Sequence, residues 1–108
     1  MQGAQLLKAC NVLSKLAYRP DITVSSARLL LEVAKRPGEL TAATLSDMLG
    51  VSGPSVTRAL DTFDAGYTNG LGKKQKGAGL IKRIPCPDDR RVKLLDLTKK
   101  GREFVEGL

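Results

Sequence analysis

The chain has 108 residues, 42% of them hydrophobic, which suits a single domain with one modest core. It carries 18 basic and 11 acidic residues and no histidine, so the formal net charge is +7, and zinc sites and histidine-based catalysis are excluded. The sequence contains no run of about 18 apolar residues, so no membrane span is predicted. The two cysteines do not require an oxidising compartment. We therefore expect a cytoplasmic protein that is not an enzyme and binds neither metal nor cofactor.

The first predicted helix covers residues 4–18 and ends before Pro20. Its apolar side chains recur at helical spacing, at Leu6, Cys10, Leu13 and Leu16. This stripe either covers the core or pairs with a second copy of the chain. We expect Cys10, and Cys86 later in the chain, to be buried small hydrophobic residues rather than redox sensors.

A second helix follows within "TVSSARLLLEVAKRPG". Its N-cap is expected among Thr23, Ser25 and Ser26, because hydroxyl oxygens accept the free N–H groups of a first turn. Pro37 and Gly38 end the helix. The predicted core face consists of Ala27, Leu30, Leu31 and Ala34.

The third helix lies within "LTAATLSDMLG". Thr41 is the expected N-cap, and Gly50 supplies the positive φ that the C-terminal turn needs. The side chains predicted to face the core are Leu45, Met48 and Leu49.

A fourth helix begins only two residues after Gly50, capped by Ser52, with Pro54 in its first turn. Its core face is formed by Val56, Leu60 and Phe63. The side chains left towards solvent are Ser52, Gly53, Ser55, Thr57, Arg58, Asp61 and Thr62. A short turn between two helices, with small polar residues on the outer face of the second, is typical of a DNA-binding helix-turn-helix. An ordinary antiparallel helix pair is the alternative.

Residues 67–78 contain glycine and lysine with neither a helical nor a strand period, which predicts a flexible basic loop. The loop opens the most basic part of the sequence. Between residues 73 and 93 lie two acidic residues and eight basic ones, which are Lys73, Lys74, Lys76, Lys82, Arg83, Arg90, Arg91 and Lys93. Nearly the whole net charge in one fifth of the chain favours a nucleic-acid partner over a merely solvated surface.

Two β-prone runs, "LIKRIPC" and "RVKLLDL", flank the polar turn "PDDR". Thr98 then caps a last short helix whose apolar residues Phe104, Val105 and Leu108 can pack back on the core. The predicted order is α-α-α-α-β-β-α in one domain spanning residues 1–108. This is a mainly α winged helix-turn-helix with a small two-stranded β-wing.

At this point the sequence resembles the multiple-antibiotic-resistance regulator (MarR) family of winged-helix transcription factors. The resemblance is carried by "LTAATLSDMLGVSGPSVTRALDTF" and "GLIKRIPCPDDRRVKLLDLTKKG", the latter with the D-x-R and L-T-x-x-G patterns at residues 89–91 and 97–101. It runs from about residue 22 to residue 101, and residues 67–78 interrupt it. It implies a sequence-specific double-stranded DNA-binding transcriptional regulator, with recognition helix 52–65 in the major groove and wing 80–97 in the minor groove.

The resemblance also implies which side chains meet DNA. Arg91 would enter the minor groove, where the negative potential is strongest, and Asp89 would orient it without touching DNA. Arg58 is the recognition-helix residue that can contact guanine with two hydrogen bonds. The predicted DNA-binding residues are Thr41, Ser52, Ser55, Thr57, Arg58, Lys73, Lys74, Lys76, Arg90, Arg91 and Lys93.

Two further expectations concern partners. The alternative function is a winged-helix module that binds a protein, for example of the transcription machinery, with only non-specific affinity for nucleic acid. By resemblance, family members dimerise through a long first helix and further C-terminal helices. Because both regions are short here, we expect no tight dimer of that kind, and at most weak pairing through the Leu6, Cys10 and Leu13 stripe.

Overall fold

The computed structural model describes residues 3–16, 22–64, 66–68, 71–72, 74–75, 77–89 and 92–107. Helices in these parts of the chain are α1 (Gly3–Lys15), α2 (Val24–Lys35), α3 (Ala42–Leu49), α4 (Gly53–Phe63) and α5 (Lys99–Glu106). The strands are β1 (Tyr67–Thr68), β2 (Lys74–Gln75), β3 (Ile81–Pro85) and β4 (Lys93–Leu97). The mainly α fold with a β3–β4 wing confirms the predicted architecture. No helix within the described segments is both long and apolar enough to cross a membrane.

Hydroxyl caps begin α2 to α5, as the sequence predicted. In each case the side-chain oxygen accepts the backbone N–H of the residue three positions later, and the capping residues are Thr23, Thr41, Ser52 and Thr98. A cap of this kind contributes about 1 kcal/mol. Gly50, with φ 66°, ends α3 in the left-handed conformation. The chain therefore turns from α3 into α4 within three residues.

The core forms around α2, against which α1, α3, α4, α5 and β4 pack. The predicted inner face of α4 is confirmed, because Val56, Leu60 and Phe63 are all buried. In α3, Leu45 is fully buried and Leu49 packs partly against the core. Met48 was predicted to point inward, but it is exposed, with 38% of its surface accessible to solvent.

The predicted apolar stripe of α1 covers the core only in part. Ala9, Val12 and Leu16 are the buried residues, whereas Cys10 is exposed and Leu13 is half-buried. The buried face consists of two smaller side chains and Leu16, which allows α1 and α2 to pack closely. The expectation of a buried Cys10 is therefore wrong, and Cys86 is only half-buried.

The wing is fixed at its base on two sides. In the antiparallel register Ile81 lies opposite Leu97 and Arg83 opposite Leu95, and the three apolar residues of these pairs are buried. The Leu95 N–H donates to the Leu40 carbonyl at 2.9 Å. Strand β4 is thereby joined to the segment that leads into α3. Helix α5 follows directly and places Phe104 and Val105 partly against the core, as predicted; Leu108 lies outside the described residues.

The segment before the wing contains a second small hairpin, which the sequence did not predict. Tyr67 pairs with Gln75, and Thr68 pairs with Lys74. On the return side, the Ala78 N–H donates to the Thr62 carbonyl at 2.7 Å, and the N–H of Leu80 donates to the Phe63 carbonyl at 2.8 Å. These bonds satisfy carbonyl groups at the end of α4 that have no partner within the helix. The predicted flexibility of residues 67–78 stays a prediction.

Candidate nucleic-acid interface

An exposed ridge runs along the N-terminal half of α4. Gly53 and Pro54 lie one turn before Thr57 and Arg58, and all four residues are exposed. Because the core face of the helix is fully occupied, this ridge is the part of α4 that another molecule can reach. Thr57 and Arg58 are thus placed as the sequence predicted.

Ser52 and Ser55 use their hydroxyl groups within the cap of α4. The Ser52 hydroxyl donates to the Ser55 hydroxyl at 2.9 Å and accepts the Ser55 N–H at 3.2 Å. Ser52 is exposed, but Ser55 is half-buried and faces a groove between the start of α2 and α4. The two serines therefore lie at the edge of the ridge. The exposed Ser52 hydroxyl oxygen can still accept one further hydrogen bond.

Two residues predicted to face solvent on α4 do not. Thr62 is buried, and its hydroxyl donates to the Arg58 carbonyl at 3.0 Å. Asp61 is half-buried and forms an ion pair with Arg83 of the wing. A hydroxyl that bonds back to the preceding turn can be buried at little cost, and a carboxylate can be partly buried when a guanidinium meets it. The accessible ridge therefore ends at Arg58.

A groove separates α4 from the wing and brings three predicted site residues together. Thr41 at the start of α3, Thr57 of α4 and Lys93 of β4 all line it. The Thr41 hydroxyl accepts the Thr44 N–H at 3.2 Å, so it caps α3 and faces the groove at once. Lys93 is exposed. The N-terminus of α3, the ridge of α4 and the wing therefore border one continuous concave surface.

The tip of the wing is closed by two backbone hydrogen bonds. The Cys86 N–H donates to the Val92 carbonyl at 2.8 Å, and the Val92 N–H donates to the Asp89 carbonyl at 3.0 Å. Asp89 is half-buried. Arg90, Arg91, Lys73 and Lys76 lie outside the described residues, and Lys74 is described only as part of β2. The contacts expected of these residues, and the orienting role of Asp89, stay predictions.

An ion-pair cluster links α4 to the wing, and sequence analysis missed it. The Arg83 guanidinium lies 2.5 Å from Asp61 Oδ1 through Nη2 and 2.9 Å from Asp64 Oδ2 through Nε. Two signals were available. The acids are three residues apart at the end of α4, and Arg83 lies two residues after buried Ile81, which places both on the inner face of β3. Neither signal specifies the pairing of residues so distant in sequence.

This arrangement defines the class of protein. Helices α3 and α4 joined by a three-residue turn, with an antiparallel hairpin beside α4, form a winged helix-turn-helix. A sequence model of the MarR family matches residues 21–65, which include both of these helices. The chain is a MarR-like winged helix-turn-helix protein.

Solved structures support this assignment over almost the whole chain. MarR from E. coli is 25% identical, with a TM-score of 0.66 over 96% of this chain and 64% of its own. RV1404 from Mycobacterium tuberculosis is 29% identical, with a TM-score of 0.66 over 94% and 58% respectively. MepR from S. aureus, solved as a complex with DNA, is 25% identical, with a TM-score of 0.65 over 96% and 72%. The chain thus spans less than two thirds of the first two relatives.

Proposed function

We propose that this protein binds double-stranded DNA in a sequence-specific manner and regulates transcription. The observation that carries the proposal is the common surface on which the exposed ridge of α4 adjoins the start of α3 and the wing, with Thr41, Thr57 and Lys93 around one groove. Exposed Arg58 and Lys93 make that surface basic. A relative of the same fold was solved as a complex with DNA, which supports DNA binding by this chain.

In this proposal α4 enters the major groove with its N-terminal half first, within recognition helix 52–65. Arg58 contacts a guanine edge or a phosphate, and Thr57 and Ser52 offer hydroxyl groups to bases or backbone. Thr41 meets a phosphate at the N-terminus of α3, where backbone N–H groups and the helix dipole favour an anion. Wing 80–97 reaches the adjacent minor groove with Arg91, while Arg90 and Lys93 meet phosphates.

Selection of bound sequences from random duplex DNA tests the proposal. We expect enrichment of a defined motif, and tighter binding to that motif than to a scrambled duplex of the same composition. Affinity should fall steeply with salt on both duplexes, because phosphate contacts release counterions. Selection that enriches no motif contradicts sequence-specific recognition and favours the protein-binding alternative.

Sedimentation of the free protein and of the complex should accompany the selection. A palindromic motif requires two copies of the chain related by a two-fold axis, and a single half-site requires one. Regulation is tested by placing the selected motif across a promoter and measuring transcription in vitro with and without the protein. A scrambled motif at the same position is the control. Equal transcript levels on both templates contradict the regulatory part of the proposal.

A further inference from the structure

The ion-pair cluster joins two elements that the proposed function requires to act together. Asp61 lies in the last turn of α4, Asp64 is the C-cap residue that follows it, and Arg83 lies in the middle of β3. Side-chain exposures are 27% for Asp61, 10% for Asp64 and 24% for Arg83. Because these side chains are partly buried, solvent and salt screen their attraction less than between fully exposed charges. The ion pairs are therefore stronger than an ordinary surface pair.

The contacts of Arg83 restrict both the position of strand β3 and its rotation relative to α4. Nη2 donates a hydrogen bond to Asp61, and Nε lies 2.9 Å from Asp64 Oδ2 as an ion-pair contact without hydrogen-bond geometry. The planar guanidinium is therefore bound to one carboxylate and placed against a second at the end of α4. The Asp64 carboxylate is itself fixed, because its Oδ1 accepts the Gly66 N–H at 2.8 Å. A strand whose central side chain is held in this way cannot pivot freely about the axis of α4.

The support on the opposite side of the wing comes from the strand pair itself. Leu95 lies opposite Arg83 in the register, and its backbone N–H bonds to the Leu40 carbonyl. Beyond this pair towards the tip, Ile84, Pro85 and Lys93 are exposed and no buried side chain anchors the described part of the hairpin. The direction in which the tip projects is therefore set at the level of Arg83 and Leu95.

We propose that Arg83 is a positioning residue that sets the orientation of the wing relative to α4, so that wing and helix meet DNA in a fixed register. The inference rests on the proposed function. Arg83 lines the same groove as Thr57 and Lys93, but in this scheme it acts through the two carboxylates that engage its guanidinium. Asp61 and Asp64 favour DNA binding through Arg83, although their own charge is repelled by phosphate.

This inference and simple electrostatics predict opposite signs for one substitution. Asp61→Asn removes a negative charge beside the proposed interface, which by charge alone strengthens binding to a polyanion. If Arg83 positions the wing, the same change releases one of its two tethers and weakens binding. Asparagine preserves the shape of the side chain, and the Asp64 tether remains, so the fold is expected to persist.

The matched control removes a carboxylate from an ion pair elsewhere. Glu32 and Lys35 pair at 3.8 Å within α2, so neither residue belongs to α4 or to the wing. We expect Asp61→Asn to raise the dissociation constant on the selected duplex about threefold to thirtyfold, which lies within the range of coupling between contacting residues. Glu32→Gln should leave it unchanged or lower it slightly. Urea unfolding of both variants shows that each is folded at the temperature of the titration.

Arg83→Lys provides a second test in which the net charge does not change. Lysine keeps the positive charge but offers a single ammonium group instead of the planar fork, so it cannot hold both carboxylates in the same geometry. We expect weaker binding together with loss of minor-groove protection from hydroxyl radicals, while protection of guanine N7 in the major groove is retained. A merely structural role would reduce both protections in parallel.

The outcomes separate the inference from the proposed function. Failure of the wild-type protein to select any DNA motif overturns the proposed function, and the inference with it. Specific binding by the wild type, with Asp61→Asn binding as tightly as Glu32→Gln, overturns the inference alone. Unchanged minor-groove protection in Arg83→Lys overturns it as well.

Discussion

Two β-hairpins follow one another in the chain and are held in different ways. The first, β1–β2, has strands of two residues, and the second, β3–β4, has strands of five. The second hairpin buries Ile81, Leu95 and Leu97 in the core. The return side of the first is attached to the end of α4 by backbone hydrogen bonds from Gly77 and Ala78.

This difference shows what a hairpin needs in order to become part of a small domain. Alternate side chains of β4 point into the core and make the wing part of the cooperative fold. Isolated two-stranded pairs are marginal in water, so the β1–β2 pair depends on its attachment. The second hairpin can therefore hold DNA-binding groups at a defined place. The position of the first depends on its backbone attachment to the end of α4.

The two hairpins should differ most in how a leucine-to-alanine substitution changes the free energy of unfolding. Leu95→Ala removes a side chain that is 1% exposed, and it should lower the free energy of unfolding by about 2–5 kcal/mol. Leu71→Ala, at a position 84% exposed in the first hairpin, should change it by less than about 0.5 kcal/mol. Urea unfolding followed by circular dichroism measures both. Equal losses would contradict the proposed difference in core contribution.

The attachment of the first hairpin can be broken at Gly77. A Cβ atom built there would overlap the carbonyl oxygens of Asp61, Thr62 and Asp64. Gly77→Ala should therefore force the return strand away from α4 and cost about 1–3 kcal/mol. Gly53→Ala, where nothing lies within 4 Å of the added carbon, is the control and should be neutral or slightly stabilising. Thermal unfolding that ranks the two variants equally would show that the attachment is not tight.

The elements that the sequence predicted best are those with local signals. Hydroxyl caps at Thr41 and Ser52 act within one helical turn, and the left-handed Gly50 belongs to the same short segment. The two β-prone runs around a polar turn likewise located the strands of the wing. Such features depend on neighbours in the sequence, so periodicity and capping rules suffice to find them.

The features that the sequence did not predict depend on distant partners. Asp61 was assigned to solvent because it lies off the apolar face of α4, but Arg83, 22 residues later, draws it into an ion pair. On α1, Ala9 is small and contributes little to a hydrophobic periodicity, yet it is buried where α1 packs against α2. No local rule states which helix will be the neighbour or how closely it will approach.

The tip of the second hairpin is expected to contribute more to DNA binding than any part of the first. Arg91→Ala should weaken binding to the selected duplex by about 1–3 kcal/mol, the scale of one well-placed arginine contact. Asp89→Ala should also weaken it, despite removing a negative charge, if Asp89 orients the arginine. Gel-shift titrations of both variants measure the change. Tighter binding by Asp89→Ala would show that electrostatics outweighs orientation at the tip.

The smallest effect concerns the lysines of the first hairpin. Lys73, Lys74 and Lys76 belong to the sequence between the C-terminal end of α4 and the start of β3 at the base of the wing. Five strand residues separate that base from the tip, a distance of about 16 Å. The lysines are therefore expected to meet flanking phosphates rather than the groove that α4 enters, and each such contact releases about one counterion.

Replacement of all three lysines by alanine should flatten the log–log dependence of affinity on salt by up to about 3 units, at about 0.9 per contact. The loss should be similar on the selected and the scrambled duplex, because phosphates carry no direct sequence information. Stability should hardly change, since the first hairpin contributes little to the core. Lys8→Ala on α1 is a single-charge control far from the wing in sequence. A slope equal to that of the wild type would mean that the first hairpin makes no phosphate contact, and that the wing alone extends the interface beyond α4.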